Sequence, residues 1–398
     1  MMKKIHKIII ILLFIFCLSG CYNYEEINNY AIVSGISIDQ NKEDNSKYDV
    51  GIQIMNAKKD EEADNSLITF YKASGNTIFE SLEKIMLDSP KEIYLGHNEV
   101  IVISETLLKE KDPLNFLDFF MRNPQVEKDS LVMIAKDSNA YEVLKIITPL
   151  ETIPSRNLKS SLNIADKYSG TLTIITIDEF ISNLINDGVE AVLPAVTIDG
   201  KTSSGDDMEN ISESDPKTKL KFETLGFFQN NKLKDYLSKD ESMGYNFLAG
   251  TPSETYINVK CDDSNYASLK ISNSKLKEEM VIKDGNPKVS INDNITADLA
   301  EYNCKADFIK NNDIIEELEK NASKKIKKLM NKSINKLYVE NKSDVLKYGL
   351  KFYQKKYKEM EKYGYKAEEL INNIDFDINV NVEINSSELS IKSVKENK

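Results

Sequence analysis

The sequence predicts an α+β protein of two or three mixed α/β domains, with largely antiparallel sheets flanked by helices. Three observations carry this. Apolar residues alternate at period two in many short segments, most strictly at Ile374, Phe376, Ile378, Val380, Val382 and Ile384, the pattern of a strand with one buried face. Between these segments, apolar residues recur at three- and four-residue spacing, as on one side of a helix. A chain of 398 residues with 41% hydrophobic and 9% aromatic content supplies more than one packed core, at roughly 100–200 residues per domain.

The chain opens with Lys3, Lys4, His6 and Lys7, an apolar run from Ile8 to Leu18, and Ser19-Gly20-Cys21. A basic head, a short apolar core and small exit residues predict a signal peptide over residues 1–20. The apolar run is shorter than the roughly 20 residues that span a hydrocarbon layer. Leu18-Ser19-Gly20-Cys21 resembles the lipobox of bacterial lipoproteins. That resemblance implies a diacylglyceryl thioether on Cys21, cleavage before it and an acyl chain on its freed amino group, a multi-chain anchor that holds stably. The competing reading is an ordinary signal with a chance Cys at its end. The small residues before Cys21 and the polar segment after it favour the lipobox.

An N-terminal α/β domain, possibly of two subdomains, is expected over 21–199. Ala31–Asp39 reads as a strand, Gln40–Lys47 as a polar loop, and Tyr48, Val50, Ile52 and Ile54 as a second strand antiparallel to the first. Leu67–Ala73 follows as a strand. Asn76 is placed to cap a helix striped by Ile78, Phe79, Leu82, Ile85 and Met86, and Pro90 ends that unit. Glu99–Ser104 and Leu131–Ala135 read as buried strands around a helix bearing Phe116, Leu117, Phe119, Phe120 and Met121. Ala140, Val143, Leu144 and Ile147 keep helical spacing. Asp178 is expected to cap a helix carrying Phe180, Ile181, Leu184 and Ile185, which Gly188 stops. Val192–Ile198 is a further strand. Residues 200–219, rich in Gly, Ser and acids, read as a polar linker or an exposed excursion.

A C-terminal α+β domain is expected over 220–398. Thr224–Gln229 and Lys232–Leu237 flank an Asn230-Asn231 hairpin turn. Tyr256, Ile257 and Val259, then Ala267, Leu269 and Ile271, then Val289, Ile291, Ile295, Ala297 and Leu299, suggest an antiparallel sheet with one buried face. A long helix is predicted from about Asp313 to Val339, with Glu316, Glu317 and Glu319 early and lysines late, as suits its dipole. Ser343 and Asp344 offer a cap for a second helix with Leu346, Leu350, Tyr353, Tyr357 and Met360 on one side. The Ile374–Ile384 strand returns to complete the sheet.

Charge and residue counts exclude several function classes. The net charge is −12, and loss of Lys3, Lys4 and Lys7 makes it about three units more negative, so no nucleic-acid partner is expected. Nucleophilic catalysis needs a base oriented by a third group, yet His97 is the sole histidine beyond the signal and reads as a turn residue. No phosphate-binding loop, metal-spaced His/Cys cluster or GxSxG turn is present. The chain is therefore not expected to be an enzyme or to carry a cofactor. Cys261 and Cys304 could pair but read as two buried, unpaired thiols. Only Arg122 and Arg156 are arginine among 52 basic residues, and the planar fork of arginine suits bidentate carboxylate pairing. Lys320–Lys366 holds fifteen lysines against Glu340, Asp344, Glu359 and Glu361. A solvated helix face is the first reading of that stretch; attraction to anionic lipid headgroups is the second.

The order of segments resembles the Ger(x)C family, the lipoprotein C subunit of GerA-type spore germinant receptors. Cys21-Tyr22-Asn23-Tyr24-Glu25-Glu26-Ile27-Asn28, leading into Ala31–Asp39, is similar to the family's opening. Tyr94–Ile103 and Phe119–Asn123 continue it. Leu225-Gly226-Phe227-Phe228, Asn231-Lys232-Leu233 and Glu241–Leu248 look like its most recognisable block. Tyr22, Tyr245 and Tyr357 stand where the family usually has Trp, and its glycine-rich turn is reduced to Asp344-Val345-Leu346-Lys347-Tyr348-Gly349. The resemblance implies a peripheral lipoprotein on the outer face of the spore inner membrane, assembled with integral-membrane subunits A and B. Such a receptor senses amino acids, sugars or nucleosides and triggers ion and dipicolinate release. This chain would be a scaffold or coupling subunit, anchored by Cys21. The rival is a lipid-anchored solute-binding protein of a transporter, which predicts two similar lobes around a cleft.

Overall fold

The computed structural model describes residues 29–56, 67–207, 209–252, 254–261, 264–304 and 313–385, and these form a nine-stranded and a four-stranded sheet. The first comprises β1 (Tyr30–Gln40), β2 (Tyr48–Met55), β3 (Ile68–Gly75), β4 (Glu92–Tyr94), β5 (Val100–Ser104), β6 (Leu131–Ala135), β7 (Val192–Asp199), β8 (Lys219–Gln229) and β9 (Lys232–Tyr236). Their order is β3-β2-β1-β5-β6-β7-β8-β9, with β4 beside the start of β1. The expected β1–β2 pair is antiparallel, but the centre, β1-β5-β6-β7, is parallel. Every residue of β5 and β6 is buried. Strands covered on both faces need continuous apolar runs, and parallel neighbours need helical crossovers. Those crossovers are α1 (Ile78–Asp88), α2 (Glu105–Glu110), α3 (Leu114–Arg122), α4 (Pro154–Ser169) and α5 (Ile177–Ile185).

The second sheet runs β10 (Tyr256–Lys260), β11 (Tyr266–Lys283), β12 (Asn286–Tyr302), β13 (Asp375–Ile384). Its long β11–β12 hairpin turns at Asp284 and Gly285, both at positive φ, as a two-residue hairpin loop requires. The last strand returns as expected, though parallel to β12. Helices α6 (Lys239–Ala249), α7 (Asp313–Ile334) and α8 (Tyr348–Tyr363) accompany this sheet.

Several expectations are corrected. Residues 200–219 do not separate the two sheets. Single helical turns at Thr202–Gly205 and Glu209–Ser212 lead straight into β8, which pairs antiparallel with β7, Ile198 opposite Leu220. Buried Asn210 fastens this polar excursion by donating to the carbonyls of Ile147 and Thr218. The helix caps are Thr77 and Thr176, whose hydroxyls accept from the amides of Glu80 and Glu179, rather than Asn76 and Asp178. Helix α5 ends at Ile185 with Asn186 as its C-cap, two residues before Gly188. The long helix is α-helical to Ile334 and closes in a π-helical turn, Asn335–Glu340. Tyr353 and Tyr357 face solvent; the buried side of α8 is Tyr348, Gly349, Phe352 and Met360.

Cys261 and Cys304 are joined by a disulfide, with Cα atoms 6.1 Å apart, and are not free thiols. Cys261 follows β10 and Cys304 follows β12, the two strands flanking β11. Pairing of Lys260 with Tyr266 and of Ala267 with Tyr302 brings both ends to one corner. The bridged residues are 43 apart in sequence, and closing such a loop in the unfolded chain stabilises the fold by about 4 kcal/mol on chain-entropy grounds. Thiol titration is expected to find Cys261 and Cys304 unreactive until reduction. Denaturant melts of a Cys261→Ser/Cys304→Ser chain are expected to show a loss of about 2–4 kcal/mol.

Candidate functional site

Cys21 lies outside the described residues. The fold begins at β1, where Tyr30 pairs with Glu92 of β4 and its ring meets that of Tyr94, centroids 5.4 Å apart. The chain running back to Cys21 therefore leaves from the β4 corner of the first sheet. Among the described residues no helix is long and apolar enough to cross a membrane.

The residues flagged as candidate chemistry sit on surfaces. His97 is half exposed, with Nε2 3.9 Å from a Glu99 carboxylate oxygen; the Arg156 Nε lies 3.9 Å from the same oxygen. These are ion-pair distances, too long for hydrogen bonds. Arg122 meets Asp118 one helical turn away through Nε at 2.6 Å, both side chains mostly exposed, where solvent screens the pair. Among the described residues, neither arginine makes a bidentate carboxylate pair. Among the described residues no three His, Cys, Asp or Glu side chains converge as metal ligands.

The Lys320–Lys366 stretch is partly engaged inside the fold. Lys332 pairs with Asp240 of α6, Lys336 with Asp235 of β9 and Lys351 with Glu278 of β11. Lys325 donates to the Asn258 carbonyl at 2.6 Å, and burial lowers its pKa. These four lysines bind α7, the turn that closes it and α8 to their neighbours.

The block Glu241–Leu248 makes the joint between the halves. Ser238 caps α6 through a reciprocal bond with Glu241. Buried Asn246 donates from Nδ2 to the carbonyls of Gly170 and Leu172, in the first half. Gly244 lets α6 close onto α7: a Cβ there would strike the Leu329 carbonyl. Tyr245 is buried. Nearby, Ser343 Oγ donates to the Phe228 carbonyl of β8 and the Glu190 amide to the Asp344 carbonyl. Glu190 accepts from the Asn230 amide at 3.0 Å. Burial, opposed by that bond and assisted by the nearby Asp344 carboxylate, raises its pKa to about 6.

A groove of about 610 Å3 runs between α1 and α3. Ile78, Ile93 and Phe116 form its buried floor, and Phe79, Met86 and Phe119 rise along its sides. Glu92, the register partner of Tyr30, lines it too, so it opens beside the point where the chain enters the fold. The stripe of α1 is legible in the sequence; that Phe79 and Met86 turn outward is not.

Residues 23–198 match the model of the spore germination protein N-terminal domain, and residues 223–388 match that of the spore germination B3/GerAC-like C-terminal domain. Spore germination protein KC of Bacillus subtilis (strain 168) is 26% identical over 373 residues, spanning 91% of this chain and 90% of that protein. Spore germination protein B3 of the same organism is 22% identical over 346 residues, spanning 86% and 87%. The crystal structure of the GerBC protein superposes with a TM-score of 0.55 at 19% identity, covering 91% of this chain and 99% of that one, a likeness of fold.

Two measurements test the joint. Gly244→Ala is expected to destabilise the chain by about 1–3 kcal/mol or more through overpacking against backbone, read by thermal melting. Because Glu190 is raised in the folded state from 4.5 to about 6, its contribution to stability is full below pH 4.5 and is lost as pH rises through 6. Glu190→Gln is expected to fall off less than the parent between pH 4.5 and 6.5 in denaturant midpoints.

Proposed function

This chain belongs to the Ger(x)C family of spore germination proteins, and we propose that it is the lipid-anchored, non-catalytic subunit of a spore nutrient germinant receptor. In this reading Cys21 carries the lipid and holds the protein at the extracytoplasmic face of the spore inner membrane, where it serves as scaffold or coupling subunit beside two integral-membrane subunits. The observation that carries the reading is the succession of both domain matches over residues 23–198 and 223–388, directly behind the lipobox-like Leu18-Ser19-Gly20-Cys21. About nine residues separate Cys21 from Tyr30, at most roughly 30 Å of extended chain. A tether of that length keeps the β4 corner near the bilayer. The rival solute-binding reading requires two similar lobes. A mixed nine-stranded sheet beside a four-stranded one speaks against it.

Cys21→Ala tests the anchor. The variant is expected to leave the spore membrane fraction and to weaken nutrient-triggered germination, with the melting temperature of the folded part unchanged. Undiminished membrane association together with undiminished nutrient response would overturn the proposal. A melting rise of several degrees with one nutrient on the isolated chain would favour the rival.

A further inference from the structure

We propose that the outer face of α8 rests on anionic phospholipid headgroups of the bilayer that anchors the chain. Such a contact presupposes the lipid anchor proposed above and adds to it the face that meets the membrane. The inner side of α8 is taken up by the core: Tyr348, Phe352 and Met360 are buried, and Lys351 is paired with Glu278 of β11. What remains outside is of two kinds. Tyr353 is 51% exposed and Tyr357 50%, their rings edge to face with centroids 5.3 Å apart, and Tyr363, also exposed, closes the helix. Interleaved with them are Lys355, Lys358 and Lys362, exposed and without a carboxylate partner among the described residues, whereas Lys356 has Glu359 at 3.9 Å. Lys362 lies over the Tyr363 ring, 5.1 Å from its centroid. Against these three lysines α8 exposes the carboxylate of Glu361, so its outer face is basic in a chain of net charge −12.

Composition and position select the occupant. Tyrosine is favoured both at protein interfaces and in the headgroup layer of a bilayer. Lysine is depleted at protein interfaces but favoured beside membranes, where its stem lies along the surface and its ammonium is drawn to lipid phosphate. A face of tyrosine and lysine therefore fits headgroups better than a protein partner. A helix whose apolar side is already packed has no stripe left to insert, which limits the contact to headgroup depth. The fold brings this helix to the anchored end. Strands β1, β5, β6 and β7 run parallel as consecutive neighbours, so the chain entry at Tyr30 and the start of β7 lie at one end of the sheet, three strand spacings or about 14 Å apart across it. Just before β7 the Glu190 amide donates to the Asp344 carbonyl, and the Asp344 carboxylate accepts from the Tyr348 and Gly349 amides that open α8. The first turn of α8 is thereby fixed at the end of the fold from which the tether to Cys21 leaves. A few lysines make a weak contact alone; held beside the bilayer by a tether, the same face acts at high effective concentration.

The test uses the chain from Cys21 onward, which retains every described residue. With Cys261 and Cys304 bridged, Cys21 is its free thiol and is coupled to maleimide-bearing lipid in vesicles, so a tether is present whether or not the cell lipidates Cys21. The sequence has no Trp, so Tyr357→Trp places one indole on α8, and Tyr256→Trp places one on exposed β10 as a control. On vesicles rich in phosphatidylglycerol, emission of the Tyr357→Trp chain is expected to shift to the blue and to fall about threefold with lipid spin-labelled near the headgroup. Both changes are expected to vanish at high salt and to be absent on pure phosphatidylcholine and in the Tyr256→Trp chain. Lys355→Glu/Lys358→Glu/Lys362→Glu is expected to abolish the quenching at an unchanged melting temperature, and Lys320→Glu/Lys324→Glu/Lys327→Glu on α7 to leave it intact. Should the α8 triple variant perturb folding, Lys358→Gln alone replaces it and is expected to weaken the quenching. Equal quenching on phosphatidylcholine, equal quenching in the control, quenching that survives charge reversal on α8, or none from a coupled chain would each overturn the α8 contact. Because the tether is supplied chemically, the two readings fail separately. A Cys21→Ala chain that stays in the spore membrane fraction sinks the anchor whatever the vesicles show, and a coupled chain without quenching sinks the α8 contact alone.

Discussion

A buried carboxylate organises the second half of the molecule. Asp344 has no exposure, and a charge in that position survives only if its oxygens are filled. Oδ1 accepts from the Tyr338 hydroxyl at 2.6 Å and the Tyr348 amide at 2.8 Å; Oδ2 accepts from the Gly349 amide at 2.7 Å. Burial raises its pKa and these three donors pull the other way. The bonds fix the end of the long helix, through Tyr338, relative to the first turn of α8, through Tyr348 and Gly349. Tyr338, Tyr348 and Phe376 close around it with ring centroids 5.1 to 5.7 Å apart, so β13 is located by the same cluster. Because the Asp344 carbonyl also takes the Glu190 amide, a single residue refers α7, α8 and β13 to the first sheet. Gly349 is small for the same reason: a side chain would meet the Ala367 carbonyl and the Asp344 carboxylate.

Much of this was legible in the sequence. Strands β1, β2, β5, β6, β7 and β13 announce themselves by alternation or by short apolar runs. The start of α8 differs from expectation: Lys347, at positive φ, is its N-cap, while Ser343 donates to the Phe228 carbonyl and Asp344 accepts from the amides of Tyr348 and Gly349. Helix α4 was not legible. Its buried side is Pro154, Ser155, Leu158 and Leu162, and two leucines among Asn, Ser and Lys make a weak periodic signal. Low apolar content at 200–219 fits a linker or an exposed excursion equally; the excursion forms because Asn210 satisfies backbone groups there and holds a polar loop against the fold. The pairing of Cys261 with Cys304 has no local signature at all, since it depends on which strands flank β11.

The candidate site was less legible than the fold, and for one physical reason. Periodicity reports how wide an apolar stripe is but not which part of it meets the protein. On α1 the stripe includes Phe79 and Met86, yet the sheet covers only Ile78, Ser81, Leu82 and Ile85. On α8 Tyr353 and Tyr357 belong to the stripe and lie outside, packed edge to face on one another. Residues in excess of what the core can hold are where a helix keeps apolar surface available, and only tertiary packing reveals them. Lysines show the converse: Lys325, Lys332, Lys336 and Lys351 look like an undirected basic stretch in sequence and are structural in space.

The two halves are joined at several points besides the chain connection. Strand β8 belongs to the first sheet but carries the chain into the second half, α6 reaches back through Asn246 to Gly170 and Leu172, and α6 is locked to α7 at Gly244. Each contact has backbone on at least one side: the carbonyls of Gly170 and Leu172 accept from the Asn246 side chain, and the backbone of α7 meets Gly244. The joint thus combines close backbone approach at Gly244 with side-chain bonds from Asn246 and Ser343, and the first sheet and the second half meet through all three.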